Sequence, residues 1–135
     1  MRRILLLFGI VVLASCEKDV DFKLNEKPDV LVVDASIEND RPPLVVLTRS
    51  LNYFSQISPE ILANMFVHDA EILISNGTLT QKLKEYVVDQ NAFLKIYYYS
   101  IDSSNMASSF LGNVNTSYSL VIKTGGKEYT AQTTI

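Results

Sequence analysis

The sequence has no tryptophan, one histidine and one cysteine, and each scarcity closes off some chemistry. A single cysteine rules out a disulfide within the chain, so the fold must rest on its core. A single histidine, His68, leaves no His-rich metal centre. It stands at the start of an expected strand, where a hydrogen-bonded structural side chain is the simplest reading. No Gly-rich phosphate loop, Gly-x-Ser-x-Gly turn or paired-carboxylate pattern occurs. The expectation is a protein that is not an enzyme and holds no metal or cofactor. An excess of positive charge is also missing: 12 basic residues stand against 15 acidic ones. With no basic stripe, no nucleic-acid partner is expected.

What is present begins at the N-terminus. Arg2 and Arg3 precede an apolar run from Ile4 to Leu13, followed by small residues Ala14 and Ser15 and then Cys16. The run is about half of the roughly 20 residues needed to span a bilayer. Charged Glu17, Lys18, Asp19 and Asp21 follow at once, so it cannot be extended into a span. This is the pattern of an export signal removed after translocation. Leu13-Ala14-Ser15-Cys16 resembles the bacterial lipobox residue for residue. That resemblance implies cleavage before Cys16 and acylation of its thiol and amine. One acyl chain anchors only marginally, at about 0.8 kcal/mol per buried CH₂, whereas several hold firmly. The expected organisation is therefore a signal peptide at 1–15, an acylated tether at 16–29 and a folded domain at 30–135. Without Arg2 and Arg3 the remaining 120 residues carry 10 basic against 15 acidic groups, a net charge of −5. Membrane attachment would then be by lipid and not by charge.

Glu17 to Asp29 is a charged stretch ending near Pro28, expected to act as a tether. Its opening Glu17-Lys18-Asp19 resembles the Lys-plus-acidic export signal of surface lipoproteins in the Bacteroidota. Beyond it the hydrophobic period is two. Leu31, Val33, Ala35 and Ile37 share one face of a first strand, and Val45 and Leu47 one face of a second. Asn39-Asp40-Arg41-Pro42-Pro43 turns between them. Ser58-Pro59-Glu60 opens a short helix over about 59–67, with a Ser cap, Pro in the first turn and an acid near the positive end.

Val67 to Ser75 reads as strand, and Asn76-Gly77 as a tight hairpin of type I′. The expected return strand is Thr78 to Tyr86, with Leu79 and Leu83 on one face. An aromatic strand follows over 93–99. The long Ser- and Asn-rich connection 101–115 has Phe110 and Leu111 as anchors. A final hairpin closes at Gly125-Gly126, with Tyr118, Leu120 and Ile122 facing Tyr129 and Ala131. About seven short strands with turns between them predict an all-β, immunoglobulin-like antiparallel β-sandwich with one short helix. Tyr118 suits a tyrosine-corner role.

The order of these motifs is similar to a known family. Val-Val-Asp-Ala-Ser-Ile, Pro-Pro, Val-Val-Leu-Thr-Arg-Ser, the segment Val67 to Gly77, and the closing Tyr118-Ser-Leu-Val-Ile and Gly126-Lys-Glu-Tyr-Thr-Ala carry the likeness. Together they resemble the N-terminal half of Bacteroidota lipoproteins grouped as domain of unknown function 4249. The resemblance implies a further β-rich portion beyond residue 135. It also implies a neighbouring TonB-dependent outer-membrane receptor as partner, and no catalytic residues. The expected function is a non-enzymatic, surface-exposed outer-membrane lipoprotein, an accessory module of such a transport system. The alternative is a glycan- or peptide-binding module.

Two clusters bear on that choice. Asp34, Glu38, Asn39 and Asp40 match no calcium-loop spacing and read as solvated strand and turn residues. Asn76-Gly-Thr78 and Asn115-Thr-Ser117 have glycosylation-sequon form but more simply serve turns. Tyr97-Tyr98-Tyr99 is the candidate partner surface, since alternation must send one face of tyrosines outside the core. Cross-strand packing would explain them equally well.

Overall fold

The computed structural model describes residues 29–51, 55–91, 94–105 and 109–135. The lipobox residues Leu13, Ala14, Ser15 and Cys16, the export motif Glu17-Lys18-Asp19 and the tether up to Pro28 lie outside the described residues.

Seven strands and one helix follow in order: β1 (Leu31–Ser36), β2 (Leu44–Arg49), α1 (Pro59–Asn64), β3 (Glu71–Ser75), β4 (Thr80–Asn91), β5 (Leu94–Ile101), β6 (Ser117–Thr124) and β7 (Lys127–Thr134). They form one curled sheet in the order β1-β2-β5-β4-β3-β6-β7, and every neighbouring pair is antiparallel. Long β4 makes the curl. Its first residues, Thr80 to Lys82, pair with β3, and its remainder from Leu83 pairs with β5. The result is two leaves, β1-β2-β5-β4 over β3-β6-β7. This is the strand order of a constant-type immunoglobulin sandwich, the fold class that the period-two pattern predicts.

The core lies between the leaves. Val45 and Leu47 of β2, Leu83 of β4 and Tyr99 of β5 meet Ile72 and Ile74 of β3 and Leu120 and Ile122 of β6. Ile72 is fully buried. Truncating such a residue to alanine costs about 2–5 kcal/mol, because the lost transfer energy is compounded by a cavity.

Several boundaries differ from the sequence reading, each for a visible reason. The helix ends at Asn64, not near 67. Its Ser58 cap accepts the Ile61 N–H as expected, but the Met65 carbonyl then accepts from Arg49 N–H and Val67 N–H donates to the Leu47 carbonyl. The edge of β2 captures the chain in extended form. Strand β3 starts only at Glu71, because Asp69 takes a positive φ of 57° and breaks the run.

The Asn76-Gly77 turn is not a two-residue type I′ turn: Ser75 pairs with Thr80, leaving four loop residues. Asn76 keeps a negative φ and spends its side chain accepting from the Thr78 and Leu79 N–H groups at 3.0 and 2.8 Å. That local capping outcompetes the tighter hairpin. The type I′ geometry appears instead at Gly125 and Gly126, with φ of 56° and 72° between the paired Thr124 and Lys127.

The long connection before β6 is pinned at three points. Phe110 is buried and stacks on Tyr118, while Leu111, expected to be a second anchor, is 43% exposed. Gln81 of β4, nearly fully buried, accepts the Phe110 N–H at 3.1 Å and donates to the Phe110 carbonyl at 3.4 Å. Tyr118 OH accepts the Asn113 N–H at 2.7 Å, tying the loop to the sheet as a tyrosine corner does. Gly112 sits against the first turn, where Asp40 N–H donates to its carbonyl.

Candidate functional site

Register places Tyr86 of β4 directly opposite Tyr98 of β5 on the outer face of their leaf. Their rings stack at 5.6 Å with an interplanar angle of 23°, a geometry that adds attraction beyond area burial. The Tyr86 hydroxyl donates to the Ile101 carbonyl at 2.9 Å, which fixes the ring. Lys84 Nζ lies 6.0 Å from the Tyr86 ring centroid and 3.5 Å from Asp102. The Asp102 carboxyl sits below its ordinary range, first because the Ser104 hydroxyl donates to it. Beside the stacked rings runs a groove of about 450 Å³ lined by Tyr86, Tyr98, Ser100, Ser103, Glu38 and Arg41. Glu38 and Arg41 form an exposed ion pair at 3.4 Å, worth little to stability.

The opposite face of β5 is different. Tyr97 packs between Phe66 and His68, whose ring meets it edge-on at 4.4 Å. Tyr99 is buried and makes a hydrogen-bond hub. Its proton is shared between Glu85 Oε2 at 2.9 Å and the Val67 carbonyl at 3.0 Å, and it accepts from the Ala70 N–H at 3.3 Å. Burial, then the neighbouring carboxylate, pushes the Tyr99 hydroxyl up to about 12, so it stays neutral and structural. His68 Nδ1 and Glu85 Oε1 lie 2.5 Å apart. Burial alone would raise Glu85, but hydrogen bonds from His68, Tyr99 and the Asp69 N–H hold it below its ordinary value.

The three consecutive tyrosines therefore divide. Tyr99 is withdrawn by burial and cannot be part of a partner surface. Tyr97 is half-buried against its two neighbours, and Tyr98 shares the outer groove with Tyr86. Asp34, Glu38, Asn39 and Asp40 do not converge: Asn39 donates to Asp40 and accepts from Val114 N–H, while Glu38 pairs with Arg41. Asn115 occupies a turn with φ of 59° and Asn76 caps one, as their sequence setting suggests.

Sequence reasoning missed Tyr86, Glu85 and Gln81. Tyr86 falls near the middle of a 12-residue β4, and only the β4–β5 register reveals its partner. Gln81 could have been found, since it alternates in phase with Leu83. Chemically, the outer groove offers flat aromatic area, hydroxyl tips and charges of both signs, which suits non-covalent recognition.

The strand order defines the class as an immunoglobulin-like antiparallel β domain. Residues 17–135 match the model of the family described as "Domain of unknown function (DUF4249)". The chain belongs to that family. No curated protein and no solved structure matches it. Among the described residues no helix is long and apolar enough to cross a membrane.

Proposed function

We propose that this chain is a non-enzymatic lipoprotein displayed on the bacterial outer membrane, an accessory interaction module beside a TonB-dependent receptor. The observation that carries the reading is Leu13-Ala14-Ser15-Cys16, placed after Arg2, Arg3 and a short apolar run. Acyl chains on Cys16 supply the membrane affinity that an acidic domain lacks. Glu17-Lys18-Asp19 favours the outer leaflet. The Tyr86–Tyr98 groove supplies the contact: aromatic anchors of this kind dominate interface energetics, and the mixed charges at its rim set orientation.

Detergent-phase partition of the wild-type chain and Cys16→Ala tests the anchor. The wild type enters the detergent phase with a lipidated N-terminal mass, and the variant does not. Equal partition and equal mass would remove the anchor. Surface display is tested by adding protease to intact cells: replacing Lys18 and Asp19 with alanine makes the protein resistant, and unchanged cleavage takes that role away from the motif.

The size of the groove, about 450 Å³ with a tyrosine floor and Ser100, Ser103, Glu38 and Arg41 beside it, favours a second reading as a glycan- or peptide-binding module. The absence of tryptophan weakens its sugar-binding form. Saturable retention of one glycan on an array, lost in Tyr98→Ala, would select this second reading.

A further inference from the structure

The two ends of the curled sheet, β1 and β7, do not pair with each other. Their inward-facing side chains should be core. Val33 and Ala35 stand opposite buried Leu47 and Val45, and Tyr129 and Ala131 stand opposite buried Ile122 and Leu120. Yet Val33 remains 40% exposed and Tyr129 36% exposed. A largely apolar groove of about 210 Å³ runs between the strands at Ala35, Ile37, Ala131 and Thr133. A smaller one of about 170 Å³ continues it at Leu31, Arg49, Lys127 and Tyr129. The seam is open on core-facing residues.

Backbone geometry makes the β1 edge receptive. Ser50 N–H donates to the Val30 carbonyl, while Leu47 and Arg49 direct their bonds away from β1, to Val67 and Met65. Even-numbered residues of β1 therefore bond to β2. Leu31, Val33 and Ala35, one step out of phase, aim their N–H and C=O groups into the seam. Unpaired groups on an apolar edge are a template for another strand. Its direction is also set. With every neighbouring pair antiparallel, the first and seventh strands run the same way. A strand antiparallel to β1 is then antiparallel to β7 as well.

The chain carries a segment with the matching pattern. Val20, Phe22 and Leu24 alternate with Asp21, Lys23 and Asn25, and six residues including Pro28 separate Leu24 from Leu31. That spacing permits a hairpin return onto β1. Counting back across the hairpin sets Leu24 opposite Leu31, Phe22 opposite Val33 and Val20 opposite Ala35. All three apolar side chains then meet the exposed inward positions, and Asp21 and Lys23 face water. A slip of one residue would reverse this.

We propose that residues 20–24 add to the free edge of β1 as an antiparallel strand, closing the seam with Val20, Phe22 and Leu24. The segment is covalently adjacent, so its effective concentration at the edge exceeds that of a free peptide. Where the anchor reading holds, docking leaves only Glu17-Lys18-Asp19 between Cys16 and the domain. The β1–β7 side is then held close to the lipid surface. The docking itself does not depend on the anchor, and its test is separate from detergent partition.

The test uses the full chain with Cys16→Ala, which removes the natural thiol. Phe22→Cys with Val33→Cys forms an intramolecular disulfide on air oxidation, since directly opposed strand residues lie within disulfide reach. Asp21→Cys with Val33→Cys, on opposite faces, does not. Equal yields from both pairs, no bond in either, or disulfide-linked dimers (a second copy in the seam) would overturn the proposal. Amide hydrogen exchange on the unsubstituted chain gives an independent reading. Val33 and Ala35 exchange at least about tenfold more slowly than in Phe22→Asp, while Leu120 is unchanged. Rapid exchange at Val33 and Ala35 in the unsubstituted chain, as for an edge awaiting a foreign strand, would also overturn it.

Discussion

Tyr99 and Glu85 are direct cross-strand partners of β5 and β4, and the tyrosine hydroxyl lies 2.9 Å from Glu85 Oε2. The pair gathers the segment between α1 and β3: Val67 and Ala70 bond to the hydroxyl, His68 and the Asp69 N–H to the carboxylate. The phenol and the carboxylate together thus hold four consecutive residues that carry no regular structure. Tyr99→Phe leaves the buried Ala70 N–H without this acceptor. The expected loss is about 1–3 kcal/mol, the usual penalty for an unsatisfied buried group. Chemical denaturation of the folded domain measures it, and a loss near zero would remove Tyr99 from this role.

The same pair sets opposite limits on pH. Glu85 has a folded-state pKa below its ordinary value, so it contributes stability above the unfolded pKa near 4.5. That contribution fades as pH falls through the lower folded value. Tyr99 has a folded pKa raised from 10.0 to about 12, so its contribution is complete below pH 10.0 and disappears towards about 12. Glu85→Gln should flatten the acid limb of stability against pH and also reduce the alkaline limb, because the carboxylate helps to raise Tyr99, although burial, the larger cause, remains. Tyrosinate absorbance should show Tyr99 ionising late, together with unfolding.

Gln81→Leu keeps volume but removes both amide bonds to the Phe110 backbone. Destabilisation of about 1–3 kcal/mol is expected, because a buried N–H and carbonyl lose their partners. Lys82→Leu, at an exposed neighbouring position, serves as the control and should change stability by no more than about 0.5 kcal/mol. Equal effects in the two variants would contradict the pinning role.

A Cβ at Gly112 would lie 2.1 Å from the Glu38 carbonyl oxygen, a backbone atom that cannot swing aside. Gly112→Ala should therefore separate the connection before β6 from the turn after β1. The cost is in the overpacking range of about 1–3 kcal/mol. Gly77→Ala meets open space but has a positive φ of 87°, so its penalty is one of backbone conformation and should be the smaller of the two. Melting temperatures of the two variants check the order.

The alternation of Val45 with Leu47, of Ile72 with Ile74 and of Leu120 with Ile122 made the strands legible, because one face of each is buried. The serine cap and Pro59 made the helix start legible in the same way. Its end was hidden, since nothing in Met65-Phe66-Val67 announces that the β2 edge will take their backbone bonds. The Asn76-Gly77 turn failed for a local reason: an asparagine that favours a type I′ turn also favours capping two N–H groups with its side chain. The candidate groove was half legible. Tyr98 stood out as the middle of three tyrosines, but its stacking partner Tyr86 depends on a register that spans separate strands.

The central claim is that a lipid anchor brings the Tyr86–Tyr98 face against an outer-membrane receptor. It is tested most directly by replacing Tyr98 with a photoreactive phenylalanine derivative in living cells and identifying what becomes cross-linked. The account predicts an adduct containing peptides of a TonB-dependent receptor, absent when Cys16→Ala is added. It also predicts little adduct from the same probe at Glu128, an exposed residue of β7. No receptor adduct at Tyr98, or equal yields at Tyr98 and Glu128, would contradict it.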